Sequence, residues 1–166
     1  TNKEEVCGDF EKLINLQLKE KHPKSWMRAF FNMGLINYIE GSRRMLPCQA
    51  GEMNFFVEPY GDIYPCNGLE KKYWKKRMGN IRETPNFKEI WEGEQAEQVR
   101  QMVRRCPKNC WMVGTASPVM HKYIKYPLKW ALKNKLRSLQ GKTACLDKCW
   151  YNVGQDPSQG DLREVF

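Results

Sequence analysis

The sequence is poor in several features that define common classes of protein. No run of apolar residues approaches the roughly 20 that a helix needs to cross a bilayer, so we expect a soluble chain. The only histidines are His22 and His121, and the sequence pairs neither with a nucleophile, so catalysis by such a pair is not indicated. No charged-then-apolar leader precedes the first helical segment, and the chain opens at Thr1. We therefore expect a piece excised from a longer protein.

The composition that is present fits one globular domain with two subregions. The chain has 166 residues, and its 41% hydrophobic residues and six Trp exclude a disordered segment. The net charge is +9, and residues 116–166 hold nine basic and four acidic side chains. This excess is compatible with nucleic acid, an acidic lipid surface or an acidic partner, and equally with a plain solvated surface. Seven cysteines would leave one thiol over in a paired framework, so a reducing cytoplasm is favoured.

Hydrophobic periodicity predicts helices at both ends of the chain. Residues 3–21 form an amphipathic pattern, and a second helix is expected from an N-cap at Ser25 to Gly41, with enough apolar residues to be buried on more than one side. A third helical region is expected over 117–139, kinked or split at Pro127. It carries a row of lysines on one side and leucines on another. A loop-like tail follows.

The sequence pattern changes at Pro47, where helical periodicity gives way to short extended runs. Residues 54–66 predict a β-hairpin around a Pro-Tyr-Gly-Asp turn, and residues 78–84 a further short extended piece. A helix is expected from Asn86 or Phe87 to Arg105, with a break at Gly93. The stretch "CPKNC", residues 106–110, then reads as a turn at a helix end, because a residue before proline disfavours helical geometry.

Four cysteines occupy places suited to a metal site. Cys48 precedes the hairpin, Cys66 ends it, and Cys106 and Cys110 flank the turn after the helix. Thiolates so far apart in sequence can hold one metal centre only if the fold brings them together. Four soft thiolates suit an iron–sulfur cluster, but structural zinc also accepts them and C-x3-C is within its usual spacing. The pair Cys145 and Cys149 repeats the C-x3-C-W pattern.

These motifs together carry a resemblance to a known family. Residues 48–66 fit C-x12-G-x4-C through Gly61, and "MGNI" (78–81), "FKEIW" (87–91) and "CPKNC" follow in order. This order resembles the C-terminal SPASM/twitch extension of radical S-adenosylmethionine enzymes. The resemblance implies an auxiliary iron–sulfur domain over 47–115. Residues 1–46 would be the helical end of the radical SAM barrel, and residues 116–166 a basic helix with a tail. The implied fold is α+β.

The resemblance implies one [4Fe–4S] cluster bound by Cys48, Cys66, Cys106 and Cys110. Four cysteine ligands leave no open iron, which favours electron relay or structural support over direct binding of a substrate. Cys145 and Cys149 could replace one pair, bind a second incomplete cluster or have no role. The aromatic residues Phe55, Phe56, Tyr60, Tyr64, Trp91 and Trp111 could supply the dry shell that a cluster needs, but ordinary core packing is the commoner role of such side chains and is the favoured reading for each.

The sequence also departs from the family pattern. It lacks the C-x2-C-x5-C-x3-C block, and the third position of the SAM-cluster motif C-x3-C-x2-C is Val113 in one copy and Asn152 in the other. Catalysis with S-adenosylmethionine would then belong to a parent barrel, which is the expected partner, and the chain should not be active alone. The alternative is a structural zinc module whose basic face binds nucleic acid or another acidic partner. Nucleic-acid or membrane binding by the basic helix is not favoured.

Overall fold

The computed structural model describes residues 2–66, 77–106 and 108–146, which divide into two units. Residues 2–46 and 108–146 form what we call the helical unit, and residues 47–66 and 77–106 form the hairpin unit. The described residues contain six helices and a three-stranded antiparallel sheet, which confirms the α+β prediction. Cys149 lies outside the described residues, so its predicted roles are not addressed by the structure.

The first helix of the helical unit, α1 (Lys3–Lys19), shows why its sequence is helical. Asn2 is the N-cap, and its side-chain oxygen accepts a hydrogen bond from the backbone N–H of Glu4 at 3.2 Å. Acidic residues occupy the first turn and Lys19 the last, so the charges oppose the helix dipole. The helix buries Ile14 and Leu18 completely.

The second helix, α2 (Pro23–Ile39), begins earlier than the sequence predicted. The assignment of Ser25 as N-cap is wrong: His22 is the N-cap, and its carbonyl accepts from the Ser25 N–H at 2.9 Å. Pro23 fits the first helical position because its missing N–H would have no partner there. The prediction that this helix is buried on more than one side is confirmed. Its buried residues are Ala29, Phe30, Asn32, Met33, Gly34, Ile36 and Asn37.

The predicted third helical region consists of α5 (Val113–Lys122) and α6 (Lys125–Leu139). It begins before Ser117, and the split lies at residues 123–124 instead of at Pro127. Pro127 is buried in the first turn of α6, where its missing N–H leaves no intrahelical hydrogen bond unmade.

Helix α6 turns an unexpected side to the core of its unit. The buried residues are Pro127, Trp130, Ala131 and Asn134. The leucines that the periodicity had grouped together are exposed, from 44% for Leu128 to 72% for Leu139. On this helix the large side chain that packs in the core is therefore Trp130, and the row of leucines is not buried.

The core of the helical unit is built around aromatic rings. Phe30 makes edge-to-face contacts with Trp111 and Trp130, with ring centroids 6.4 and 5.6 Å apart. Gly34 leaves room for the indole of Trp111, since a Cβ at this position would lie 2.1 Å from two of its ring atoms. The indole Nε1 of Trp111 donates to the carbonyl of Phe31 at 2.8 Å. The segment after Cys110 is thus fixed against α2.

The hairpin unit contains strands β1 (Phe56–Val57), β2 (Asp62–Tyr64) and β3 (Gly79–Asn80), in that spatial order. The predicted hairpin and the further extended piece are both confirmed. In the register, Phe56 faces Tyr64 and Asp62 faces Asn80. Gly61 turns the hairpin with φ +90°, a conformation that side chains other than glycine's rarely adopt.

Two helices complete the hairpin unit, α3 (Phe87–Glu92) and α4 (Glu94–Arg104), with the predicted break at Gly93. Gly79 lets the sheet approach α3, because a Cβ there would lie 2.4 Å from Cγ2 of Ile90. The core is small and consists of Ile63, Met78, Ile90, Ala96 and Val99. In both units, none of the described helices combines the length and apolar character needed to cross a membrane.

Candidate metal centre

The structure describes six of the seven cysteines, all as half-buried thiols. In the hairpin unit, Cys48 precedes a turn, Cys66 follows β2 and Cys106 follows α4. Cys110 and Cys145 belong to the helical unit, where they precede α5 and follow α6. Three of the four proposed ligands therefore belong to one unit, and the fourth to the other.

Residues 49–54 form a tight loop directly after Cys48. The backbone N–H groups of Glu52 and Met53 both donate to the carbonyl of Gln49, at 3.0 and 2.9 Å, and the Gly51 N–H donates to the carbonyl of Asn54 at 2.8 Å. Gly51 has φ +78°, so the loop requires a residue without a side chain at this point. We call residues 49–54 the anchor loop, because the other two cysteine segments of the hairpin unit are fastened to it.

The Cys66 segment is fastened to the anchor loop by an amide and by close packing. The side-chain Nδ2 of Asn54 donates to the carbonyl of Pro65 at 3.2 Å. A Cβ on Gly51 would lie 3.2 Å from Cβ of Pro65, so the loop backbone lies directly against the residue before Cys66. The end of the hairpin and the loop after Cys48 are thus held side by side.

The helix that leads to Cys106 is fastened to the same loop by two arginines. Arg104 forms an ion pair with Glu52 at 3.1 Å. Arg100 donates through Nη1 to the carbonyl of Gly51 at 3.4 Å and through Nη2 to the carbonyl of Trp91 at 2.7 Å. Its guanidinium also lies 5.4 Å from the ring centre of Trp91. Helix α4 therefore delivers Cys106 from an element that is tied to the segment following Cys48.

The charges on α4 form a small network around Glu97. Hydrogen bonds from Arg100, at 3.0 Å, and from Arg104, at 3.1 Å, lower the pKa of Glu97. The same pairing, first with Glu97 and then with Glu52, raises the pKa of Arg104. Because the pKa of Glu97 is lowered and that of Arg104 is raised, this ion pair is maintained near neutral pH.

In the helical unit, hydrogen bonds from the side chains of Arg44 and Asn109 fix the turn that contains Cys110. The guanidinium of Arg44 donates to the carbonyl of Cys110, and Nδ2 of Asn109 donates to the carbonyls of Tyr38 and Ser42 at 3.2 and 3.0 Å. Together with the Trp111 indole described above, these contacts anchor three consecutive residues. Sequence reasoning identified Cys110 but missed Arg44, for which no sequence motif gave a signal.

Cys145 is anchored as well, in a segment without helix or strand that follows Gly141. Its backbone N–H donates to Oδ1 of Asn134 at 2.6 Å, and its carbonyl accepts from Nε1 of Trp130 at 3.2 Å. Both side chains on α6 are buried. The backbone of Cys145 is therefore held by two side chains of α6.

The aromatic residues that were candidates for a dry shell are buried to different extents. Tyr64 and Trp111 are buried, whereas Phe56 and Tyr60 are 41% and 71% exposed and so do not exclude water. Phe55 packs instead against Phe87 and Trp91, with ring centroids 4.9 and 5.7 Å apart. For Phe56 and Tyr60 the prediction of a dry shell is wrong, because the hairpin strand that carries Phe56 and the turn that carries Tyr60 face solvent.

Across residues 2–66, 77–106 and 108–146, no group of three or more Cys, His, Asp or Glu side chains has the spacing to hold a metal. Contacts of the anchor loop join the backbone segments that carry Cys48, Cys66 and Cys106. The set of ligands stays a prediction. The chemistry of the donors fits iron and sulfide, since each position offers a thiol at the end of an anchored element.

These features define a small α+β scaffold with cysteines at the ends of its elements, and a family comparison identifies it. Residues 48–112 match the family model SPASM, described as an iron-sulfur cluster-binding domain. The match confirms the resemblance for this segment, and the family that it resembles is described as binding iron–sulfur clusters. It covers less than half of the chain. No curated protein and no solved structure shows a significant match to the sequence.

Proposed function

We propose that Cys48, Cys66, Cys106 and Cys110 hold one [4Fe–4S] cluster, and that this chain is the auxiliary cluster domain of a radical S-adenosylmethionine enzyme. The observation that carries the proposal is the extent of the family match. It begins at Cys48, includes the other three cysteines, and ends at residue 112, well before Cys145. The ties of the Cys66 and Cys106 segments to the anchor loop support the same ligand set.

The residues around these cysteines would position the ligands, which bind metal as thiolates. A bound cluster supplies one-electron transfer and a covalent link among the segments that ligate it. With four cysteine ligands every iron has a protein thiolate, so electron relay or structural support is the role we favour. Direct binding of a substrate to iron would require a ligand to be missing.

The proposed partner is the barrel of the parent enzyme, with α1 and α2 as its last helices. S-adenosylmethionine would bind to that barrel, because residues 106–113 and 145–152 lack the third cysteine of its cluster motif. The chain alone, supplied with the cofactor and a reductant, should therefore produce no 5′-deoxyadenosine. A reducing cytoplasm is the compartment we propose, because it keeps thiols available for a cluster.

Anaerobic reconstitution with iron and sulfide tests the ligand set. Iron and acid-labile sulfide are counted per chain for the wild type and for Cys48→Ala, Cys66→Ala, Cys106→Ala and Cys110→Ala. Each of these variants should lose most of its iron, whereas Cys145→Ala and the helical Cys7→Ala should retain the wild-type content. Full iron in any of the first four variants would contradict this ligand set.

The same experiment separates iron from zinc, which is the rival reading of four thiols with a C-x3-C spacing. A wild-type chain that binds zinc in preference, without sulfide and without colour, would identify a structural zinc module. The match to an iron–sulfur family favours the cluster.

A further inference from the structure

Arg44 is a buried cation with an unusual set of partners. Its side chain is only 7% exposed. Nε donates to the carbonyl of Leu46 at 3.0 Å, Nη1 to the carbonyl of Cys110, and Nη2 to the carbonyl of Thr115 at 3.1 Å. The guanidinium carbon also lies 5.5 Å from the ring centre of Trp111. No carboxylate in the described part of the chain forms an ion pair with it.

Among residues 2–66, 77–106 and 108–146, this arrangement pairs the positive charge of Arg44 with no acidic side chain. Taking a charge out of water is expensive, and buried charges are usually paired with an opposite charge or bound to a metal site. Three carbonyl oxygens and an aromatic face satisfy hydrogen bonds and offer partial charges, but none carries a net negative charge. The environment of Arg44 is therefore suited to an additional anionic group nearby.

The position of Arg44 links this charge to one proposed ligand. Its hydrogen bonds to Cys110 and Thr115 fix the chain on either side of the start of α5, so the guanidinium determines where the Cys110 backbone lies. Lysine could not reproduce this, because only the planar guanidinium directs several N–H groups toward separate acceptors at once. A cluster with four thiolate ligands is anionic and becomes more so on reduction, as an additional electron is taken up.

We propose that Arg44 is a positioning residue for the Cys110 ligand and the buried positive charge that raises the reduction potential of the cluster bound there. The proposal rests on the assignment of Cys110 as a ligand. A nearby positive charge stabilises the reduced cluster more than the oxidised one, because the reduced cluster carries one more negative charge. Removal of the charge should therefore lower the reduction potential of the cluster. Removal of the planar guanidinium should leave the backbone of Cys110 less firmly held.

The test compares two variants. Arg44→Gln removes the positive charge, whereas Arg44→Lys keeps the charge and removes the planar guanidinium with its several N–H donors. Arg43→Gln is the matched control, since it makes the same change of net charge at the neighbouring, exposed residue. Three quantities are measured on the reconstituted chain: iron and sulfide content, the reduction potential by spectroelectrochemistry, and the rate of iron loss to a chelator. Thermal unfolding of the cluster-free chains reports whether the helical unit remains folded.

We expect Arg44→Gln to have a more negative potential than the wild type and Arg43→Gln to leave the potential unchanged. Arg44→Lys should retain a potential near that of the wild type. Both Arg44 variants should lose iron about 10- to 100-fold faster, as is typical when a group supporting a metal ligand is removed. A wild-type potential in Arg44→Gln, or an equal shift in Arg43→Gln, would overturn the proposal.

Two further outcomes have defined meanings. If Arg44→Gln fails to fold without the cluster, Arg44→Lys decides: faster iron loss at an unchanged potential supports the proposal, and wild-type iron retention overturns the positioning role. If the wild type binds no iron, or Cys110→Ala retains it all, the assignment of Cys110 fails first, independently of any result for Arg44.

Discussion

The two units of this chain are stabilised in different ways. The helical unit buries large aromatic and aliphatic side chains, among them Phe30, Trp111 and Trp130, which are each at most 2% exposed. The hairpin unit has strands of two or three residues and a core of five small or medium side chains. Its segments are joined instead by polar ties, such as those from Arg100 and Arg104 to the anchor loop.

This difference indicates which unit needs a cofactor to be stable. A core of this size rarely stabilises a small domain, and natural domains of this kind add disulfides or a metal. Because metal binding to convergent ligands also contributes to folding, a cluster would supply stability where the hairpin unit has little of its own. The helical unit has a larger core, so we expect it to depend less on a cluster. Perturbing each unit separately tests this difference in stabilisation.

Removal of the cluster should cause the largest loss of stability, and the hairpin unit should lose more stability than the helical unit. We expect hydrogen exchange of the α4 amides to accelerate by an amount corresponding to several kcal/mol of opening free energy. Amides of α2 around Phe30 should keep most of their protection. The measurement is segment-resolved hydrogen exchange before and after chelation. Equal loss of protection in both helices would show that the two units are not independently stabilised.

Gly34→Ala should be the most damaging single substitution in the helical unit. The new Cβ would lie 2.1 Å from the Trp111 ring, so the indole must move, and overpacking of this kind destabilises by about 1–3 kcal/mol or more. The effect should appear as a lower midpoint of thermal unfolding. Gly8→Ala in α1 is the control, since a Cβ there meets no atom within 4 Å, and it should stabilise by up to about 1 kcal/mol.

Gly51→Ala should weaken the anchor loop and with it the cluster. Its positive φ costs roughly 1–2 kcal/mol for a residue with a side chain, and the new Cβ would also press on Pro65. We expect lower iron content after reconstitution. Gly141→Ala provides a control with a similar φ of +72° but open space around the Cβ, so it should be destabilising without loss of iron. Unchanged iron in Gly51→Ala would indicate that the loop does not position the ligands.

Glu97→Gln should destabilise α4 by a smaller amount, and this loss should not depend on pH in the neutral range. Because Arg100 and Arg104 lower the pKa of Glu97, its stabilisation is fully present above the usual value of about 4.3 and is lost only as pH falls through the lowered pKa. Wild type and variant should therefore differ equally in α4 exchange at pH 8 and pH 5.5. Glu92→Gln, in an exposed pair with Lys88 at 3.9 Å, should show less difference.

Leu132→Ser on the exposed side of α6 should have the smallest effect on stability, within about 0.5 kcal/mol, because Leu132 is 47% exposed. Denaturant unfolding measures this. The same variant tests the less favoured possibility that the basic helix binds a membrane: binding to anionic vesicles should be absent in the wild type and in Leu132→Ser alike. Salt-sensitive binding that the substitution weakens would establish such a surface.

Sequence reasoning was most successful where local chemistry decides the structure. The hairpin with its turn at Gly61 and the break at Gly93 depended on residues close in sequence, and the family resemblance depended on the order of short local motifs. It failed where tertiary packing decides: the start of α2, the split before α6, and the face that α6 buries. Periodicity could not distinguish an exposed leucine row from a buried one, because the burial of Trp130 by Phe30 is a contact between residues 100 positions apart.

The candidate site shows the same division. The cysteines could be selected by spacing, but the side chains that hold their backbones could not. Arg44 reaches Cys110 across 66 positions, and Glu52 reaches Arg104 across 52. Nothing in the local sequence of Arg44 distinguishes it from the exposed Arg43 beside it.

The close fit of Gly34 under the Trp111 ring has a consequence for how this sequence can evolve. A larger residue at position 34 is tolerable only if the ring at position 111 shrinks, so substitutions at these two sites should arise together across descendants of this chain. Since Trp111 follows Cys110 directly, sequence change at Gly34 on α2 is coupled to the segment that carries a proposed ligand.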